Sequence, residues 1–208
     1  MYMSEIKWHK KVKNSAEQQH MKRDALLDVA ADSFVVYGYR GTSLDQIAKT
    51  LNVTKAALYY YVKNKEDIFF QCISISMRKV IECAENAQYN GENGLDKLIF
   101  FFQEYAELSV NRYGSSLILE GERSLNSQNK AVIRTKKLEA QKYLVNIIDE
   151  GIADGSIKNC NTKYVAVLLF SAFNLMHQWY RPDGGMSPRD LANEILKPVI
   201  TGLKTIQE

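Results

Sequence analysis

Cysteine is scarce in this chain and poorly placed for cross-linking. There are three in 208 residues, Cys72, Cys83 and Cys160. None forms a CxxC pair, and on one helix Cys72 and Cys83 would stand about 16 Å apart at a rise of about 1.5 Å per residue, beyond disulfide reach. A reducing cytoplasm is the expected setting. Of the three histidines only His177 lies outside the N-terminal region, and no metal-ligand spacing occurs. A nucleophile elbow and a phosphate-binding glycine loop are both lacking. Carboxylates such as Glu120, Glu122, Glu139 and Asp149 recur only at the spacing of a solvated helix face. An enzyme, a metal and a cofactor are therefore not expected. No stretch offers about 18 consecutive apolar residues, and the polar, basic N-terminus has no apolar signal core, so neither membrane insertion nor secretion is expected. Strand signals are missing along the whole chain.

What is present suits a folded helical protein. Hydrophobic residues make up 46% of the sequence, enough for a well-buried core. The formal net charge is only +3, but it is unevenly spread. Residues 1–70 hold 11 Lys or Arg against 8 Asp or Glu, whereas the remainder holds 16 of each. That is the footprint expected of a small DNA-binding head on a neutral body.

The stretch Gly41–Lys65 gives the head its pattern. Leu44, Ile47, Ala48 and Leu51 fall at helical spacing, Asn52-Val53-Thr54 breaks the run, and a second helical run goes from Lys55 to about Tyr61. This is a helix-turn-helix, whose second helix lies in the major groove and must turn donors, aromatic edges and small residues outward. Lys55, Ala56, Tyr59, Tyr60 and Tyr61 meet that demand, while Ala57, Leu58 and Val62 face inward. Tyr59 has a competing role in packing the head core. Thr42 or Ser43 can cap the first of these helices, with Asp45 in its positive first turn. A preceding helix from about Gln19 to Gly38 completes a three-helix core of Leu26, Ala30, Phe34, Leu44, Ile47, Leu51, Leu58 and Val62.

Asn64 precedes a further helix, Lys65 to about Asn86, whose free backbone N–H groups can face a phosphate. Its apolar stripe begins in the head and runs on into the body. Residues 1–18 mix Lys7, Lys10, Lys11 and Lys13 without helical period, and are expected to form a flexible basic arm, solvated or touching DNA. The head is assigned to 19–66 and the body, for ligand binding and dimerisation, to 67–208.

The body reads as an antiparallel bundle. Helices are expected around Leu95–Leu108, Ser115–Glu122, Gln128–Ala153, Asn161–Trp179 and Pro188–Ile206. The Asn161–Trp179 segment is apolar nearly all round, so it needs cover on both sides. A second copy of the same helix supplies that cover, which places a homodimer contact on the last two helices, the final one carrying Leu191, Ile195, Leu196, Val199, Ile200 and Leu203. Aromatic and polar side chains in such a bundle suit a small-molecule pocket. The candidates are Phe101, Phe102, Tyr105, Leu117, Tyr143, Phe173, Asn174 and His177, each of which would equally serve as ordinary core. Asn174 and His177 stand out as polar groups on an apolar helix.

From Arg23 to about Phe70 the chain resembles the TetR family of transcriptional repressors. The resemblance rests on Ala30, Phe34, Gly38, the Gly41-Thr42-Ser43 turn, Ile47-Ala48, Val53 and the block from Leu58 to Lys65. It implies an all-α protein, with an N-terminal helix-turn-helix head followed by a C-terminal helical bundle that dimerises. It further implies two heads in successive major grooves of a palindromic DNA operator. Position by position it puts Lys55 and Tyr60 near bases or phosphates, Tyr61 and Lys65 on phosphates, and Ser43 and Thr54 at capping positions that also touch the backbone. Tyr61 stands where the family more often has His.

The segment from Gln178 to Pro188, QWYRPDGGMSP, resembles an element of a TetR subgroup that responds to acyl-coenzyme A thioesters and controls fatty-acid or steroid-side-chain breakdown. That resemblance implies an acyl-CoA effector, for which Arg123, Arg134, Lys136 and Lys137 could meet the nucleotide phosphates. Pro182 and Gly184 would in any case form the turn between the last two helices. The sequence thus points to a ligand-responsive repressor released from its operator by a small hydrophobic effector. A drug-responsive repressor of an efflux pump and a helical enzyme acting on CoA thioesters are the competing possibilities.

Overall fold

The computed structural model of the chain describes residues 15–203, and these form ten helices with no β-strand among them. Of the expected basic arm, residues 1–14 lie outside the described part. The first helix, α1 (Ser15–Gly41), already includes Ser15, some four residues before the predicted start. Its regular course is interrupted at Gly38, with φ 69° and ψ 171°, a conformation open to glycine and costly for other residues. The predicted end is therefore a true break, after which one further turn leads into α2 (Leu44–Thr50).

The head closes as expected around Leu26, Ala30, Phe34, Ile47, Leu51, Leu58 and Val62, all buried, with Leu44 at the edge. Asn52 takes φ 55° in the turn between α2 and α3, a left-handed position that asparagine tolerates better than most residues. The second helix of the motif is shorter than predicted. Helix α3 spans Lys55–Leu58 only, and a tight turn follows in which the Tyr61 and Val62 amides both bond to the Leu58 carbonyl at 2.9 and 3.2 Å. Three consecutive tyrosines carry little helix propensity, and the turn delivers Val62 to the core.

Helix α4 (Lys65–Asn90) is the spine, packing against α1 on the head side and against α5 (Gly94–Ser109), α6 (Ser115–Ser124) and α7 (Ser127–Asp154) in the body. It runs four residues past the expected end because Cys83, Ala84 and Ala87 prolong its buried stripe. The start of α5 crosses α7 with Gly94 against Gly151. A Cβ on Gly94 would stand 2.2 Å from the Gly151 backbone, so no larger residue fits. Asp154 and Ser156 then accept the Gly94 and Leu95 amides at 2.7 and 3.1 Å. Helix α7 ends at Gly155 in the left-handed conformation, a cap that glycine supplies without strain.

The predicted single helix Asn161–Trp179 is two, α8 (Thr162–Asn174) and α9 (Met176–Trp179). The cause is local and chemical. The Asn174 carbonyl accepts the Ser115 hydroxyl at 2.7 Å and lies 3.0 Å from His177 Nδ1. The Gln178 amide, deprived of that acceptor, bonds to the Leu175 carbonyl instead. Helix α10 (Pro188–Leu203) packs along α5, burying Ala192 and Leu196. No helix among the described residues is long and apolar enough to cross a membrane. Nor, among them, do three His, Cys, Asp or Glu side chains gather as metal ligands.

Candidate DNA-binding surface and effector cavity

Two arrangements carry chemistry, one on the head and one in the body. On the head, α2 begins with a reciprocal cap. Ser43 Oγ accepts the Gln46 amide at 3.2 Å while Gln46 Oε1 accepts the Ser43 amide at 2.9 Å. Thr54 Oγ1 accepts the Ala57 amide at 3.3 Å and starts α3. Both residues are thereby fixed in place, and the α3 face they orient is open to solvent. Tyr60 is 83% exposed and Tyr59 half exposed, so Tyr59 is not consumed by the head core, while Ala56 lies exposed between them and Lys55. Tyr61 is half-buried against the core.

Lys55 Nζ meets Asp45 Oδ2 at 2.9 Å, both well exposed. The hydrogen bond that Lys55 donates to Asp45, and then the carboxylate's charge, raise the lysine's proton affinity. An exposed pair of this kind contributes little to stability, so the ammonium can exchange Asp45 for a phosphate. Lys65, expected on a phosphate at the start of α4, makes contacts within the head. Its Nζ donates to the carbonyls of Tyr39 at 2.9 Å and Thr42 at 3.0 Å, and sits 4.4 Å from the centre of the Tyr39 ring. It ties the end of α1 and the start of α2 to α4.

In the body, a cavity of about 210 Å³ lies among five helices. Met77 and Val80 come from α4, Tyr105 from α5, Ile118 and Leu119 from α6, Lys137, Ala140 and Gln141 from α7, and Val167, Phe170, Ser171 and Asn174 from α8. Tyr105 and Asn174 are therefore together, as the sequence suggested, and they are directly joined. The Tyr105 hydroxyl donates to Asn174 Oδ1 at 2.5 Å. Burial raises the Tyr105 phenol well above its ordinary range, so it stays a donor. Among the described residues no buried side-chain nitrogen or oxygen lacks a hydrogen-bond partner.

The other sequence candidates stand apart from the lining. Phe102 and Phe173 pack ring to ring at 4.6 Å behind Phe170, and Phe101 lies in the same aromatic cluster. Leu117 is buried core, Tyr143 half-buried on α7, and Arg123 exposed. His177 Nδ1 lies 3.1 Å from Ser115 Oγ. Since the Asn174 carbonyl at 3.0 Å can only accept, Nδ1 carries the proton, and His177 pins the α8–α9 break from outside the cavity. The sequence did not disclose Gln141, Ser171 or the α6 wall. The recurrence of Lys137, Gln141 and Leu144 along one side of α7 was the available signal.

Side-chain ties join body to head among the described residues. The Tyr113 hydroxyl donates to Asp28 Oδ1 at 2.8 Å, and Arg112 bridges Asp28 and Asp32, each at 3.2 Å. Glu66 Oε1 accepts the Asn126 amide and Asn129 Nδ2, both at 2.9 Å. Arg23 donates to Gln71 Oε1 at 3.0 and 2.6 Å.

Comparison with known proteins covers both parts. Residues 26–72 match the model for bacterial regulatory proteins of the tetR family, and residues 91–203 that for tetracyclin repressor-like C-terminal domains. The chain is 24% identical over 197 residues to the HTH-type transcriptional repressor KstR2 of Mycolicibacterium smegmatis, covering 93% of this chain and 96% of that protein. It is likewise 24% identical over 193 residues to the fatty acid metabolism regulator protein of Bacillus subtilis, covering 90% and 98%. Among solved structures, AibR in complex with isovaleryl coenzyme A and operator DNA superimposes with a TM-score of 0.73 at 23% identity, covering 85% of this chain and 97% of that one.

Proposed function

The chain belongs to the TetR family of bacterial regulatory proteins, and from that premise we propose that it is a cytoplasmic transcriptional repressor released from a palindromic DNA operator by an acyl-CoA thioester. In this reading residues 19–66 are the DNA-binding head and 67–208 the body. Lys55, Ala56, Tyr59 and Tyr60 face the major groove, Tyr61 reaches a phosphate, and Ser43, Thr54 and Lys65 hold that surface in register while lying close to the backbone. The homodimer forms through α8 and α10. The molecule acts as a regulator and not as an enzyme.

One observation carries the regulatory part. Helix α4 is continuous from Lys65, which anchors the recognition turn, to Met77 and Val80 in the cavity wall. The stretch from Lys65 to Met77 spans about 18 Å of a single rigid element. A ligand that prefers one packing of the cavity wall shifts the heads in proportion to its differential affinity for the two arrangements. The nature of the effector is supported by the AibR complex with isovaleryl coenzyme A, and the apolar side chains of the cavity wall, Met77, Val80, Ile118 and Phe170, suit an acyl chain.

The test is selection of binding sites from random duplex DNA, followed by fluorescence anisotropy on the enriched sequence with and without CoA thioesters. A palindrome bound by two chains, with a steep loss of affinity at rising salt, is expected. Enrichment of no sequence, or of a single half-site bound by one chain, would sink the proposal.

A further inference from the structure

The head carries an anion on the surface that meets an anionic partner. From Arg40 to Lys65 the sequence holds five Lys or Arg residues and a single acidic one, Asp45. Resting on the reading of residues 19–66 as the DNA-binding head, we infer that Asp45 is a specificity-determining residue. Its carboxylate accepts from the 4-amino group of a cytosine while Lys55 donates to the guanine paired with it, so that each half-site of the operator requires a G·C base pair at one position.

Placement gives the first step. The N-terminal residues of the second helix in a helix-turn-helix contact base edges, and Lys55 is the first residue of α3. Its ammonium lies 2.9 Å from Asp45 Oδ2, so the carboxylate, although it belongs to α2, stands beside the recognition helix with its side chain 70% exposed. Other carboxylates of the head are engaged away from α3. Asp28 and Asp32 hold Arg112, Glu66 holds Asn126 and Asn129, and Asp67 accepts the Lys63 amide.

Electrostatics gives the second. A carboxylate brought to DNA is repelled by the phosphates and gives up water, at a cost that is offset only where another donor takes the water's place. The donors in the major groove are the amino groups of cytosine and adenine, and Asp pairs with that of cytosine. The ion pair with Lys55 is exposed and adds little to stability. A negative charge in the first turn of α2 also favours the helix, but that role is indifferent to base sequence.

Geometry gives the third. Lys55 and Asp45 present a donor and an acceptor side by side, 2.9 Å apart. Guanine O6 and the amino nitrogen of its cytosine are separated by one hydrogen bond, also about 2.9 Å, and present the complementary acceptor and donor to the groove. Guanine adds N7 as a second acceptor for the ammonium, whereas thymine has one acceptor beside a methyl group. An A·T pair in the same orientation would set the adenine amino group against the ammonium and thymine O4 against the carboxylate.

The experiment selects binding sites from random duplex DNA with the full-length wild type, Asp45→Ala and Asp45→Asn. Anisotropy then compares each protein on the wild-type sequence and on the same duplex with the G·C pair changed to A·T in both half-sites. The wild type should lose about tenfold per half-site on that change. Asp45→Ala should lose only a few-fold, since Lys55 alone still reads guanine. It should also hold random duplex more tightly, its salt slope steeper by about 0.9 per head as Lys55 is freed for a phosphate. Asp45→Asn, whose amide suits adenine N6 and N7, should admit adenine in place of the cytosine. A carboxylate that serves only the fold would shift the melting temperature and leave every base preference alone. A wild-type palindrome without the G·C requirement, or one whose base preferences are the same in both variants, would overturn the Asp45 assignment and leave the head's DNA-binding role standing. Enrichment of no sequence by the wild type would remove both.

Discussion

The ammonium of Lys65 is committed to two main-chain carbonyls and the face of Tyr39. Both carbonyls belong to the junction of α1 and α2, where Gly38 has already broken the helix. Lys65→Met keeps the stem and removes the charge, leaving two acceptors short of a charged donor. A cost of about 2 kcal/mol is expected, seen as a lower melting temperature. The salt slope of operator binding should change by much less than the 0.9 unit that loss of a phosphate contact would bring. A full-unit drop without destabilisation would return Lys65 to the phosphate role that its family resemblance suggested. Elsewhere in the chain, burial pushes the thiol of Cys83 up to about 12 and that of Cys72 higher, and raises the phenols of Tyr105 and Tyr113. For Tyr113 the hydrogen bond to Asp28 acts in the same direction. These groups stay protonated in the folded chain while their unfolded counterparts ionise at ordinary values. Their stabilisation is therefore complete below about pH 9 and is lost as pH rises from there towards the folded values. A melting temperature that falls from pH 9 to 11, with Cys72 and Cys83 unlabelled by iodoacetamide at pH 8 on mass spectrometry, is the expected result.

At the scale of elements, α6 has a singular position. It contributes Ile118 and Leu119 to the cavity, and the residues on either side of it grip the head. Tyr113 and Arg112 hold Asp28 on α1, and Asn126 and Asn129 hold Glu66 at the start of α4. A movement of α6 therefore pulls on both helices that fix the recognition turn. Asp28→Ala cuts one grip without touching the cavity or the α3 face. It should cost about 1–2 kcal/mol, or roughly 2–8 °C for a chain of this size. Effector binding by calorimetry should stay within twofold of wild type while the release of operator is blunted; unaltered release would exclude the α1 tie as a coupling element. What the sequence made legible at this scale was local. The caps at Ser43, Thr54, Asn64 and Gly155 are set by residues within one turn of where they act, and so are the helix starts. Polarity on an apolar helix singled out Asn174 and His177, of which the structure places Asn174 in the cavity wall and His177 outside it. The break at Leu175 was hidden because Ser115, which takes the Asn174 carbonyl, is 59 residues away. The internal role of Lys65 was hidden for the same reason, its acceptors lying 26 and 23 residues earlier. Cavity walls come from crossings of five helices, and no periodicity in one helix encodes them.

For the whole molecule, the outer face of α8 and α9 poses a problem that a single chain does not solve. Tyr164, Leu168, Leu175 and Trp179 recur at helical spacing and remain exposed, Leu168 by 58%. Helix α10 adds Leu191, Ile195, Val199 and Ile200, only half-buried. An exposed apolar surface that runs along whole helices marks an interaction site, and a two-fold contact would bury the same residues on both copies. Under that symmetry one substitution acts twice. Leu168→Glu places two carboxylates in the contact, each costing several kcal/mol if desolvated without a partner, while in the separate chain it points to water and leaves the bundle intact. Light scattering after size exclusion should therefore give a mass near twice 23.8 kDa for wild type and a single-chain mass for the variant, with helical circular dichroism unchanged. Operator binding requires two heads held at a fixed separation, so the variant should retain only weak half-site affinity. Its salt slope should fall to about half, because the slope counts neutralised phosphates and one head contacts half of them. A variant that stays dimeric and binds the operator normally would place the contact on another face, and α8 would then need a different partner to cover it.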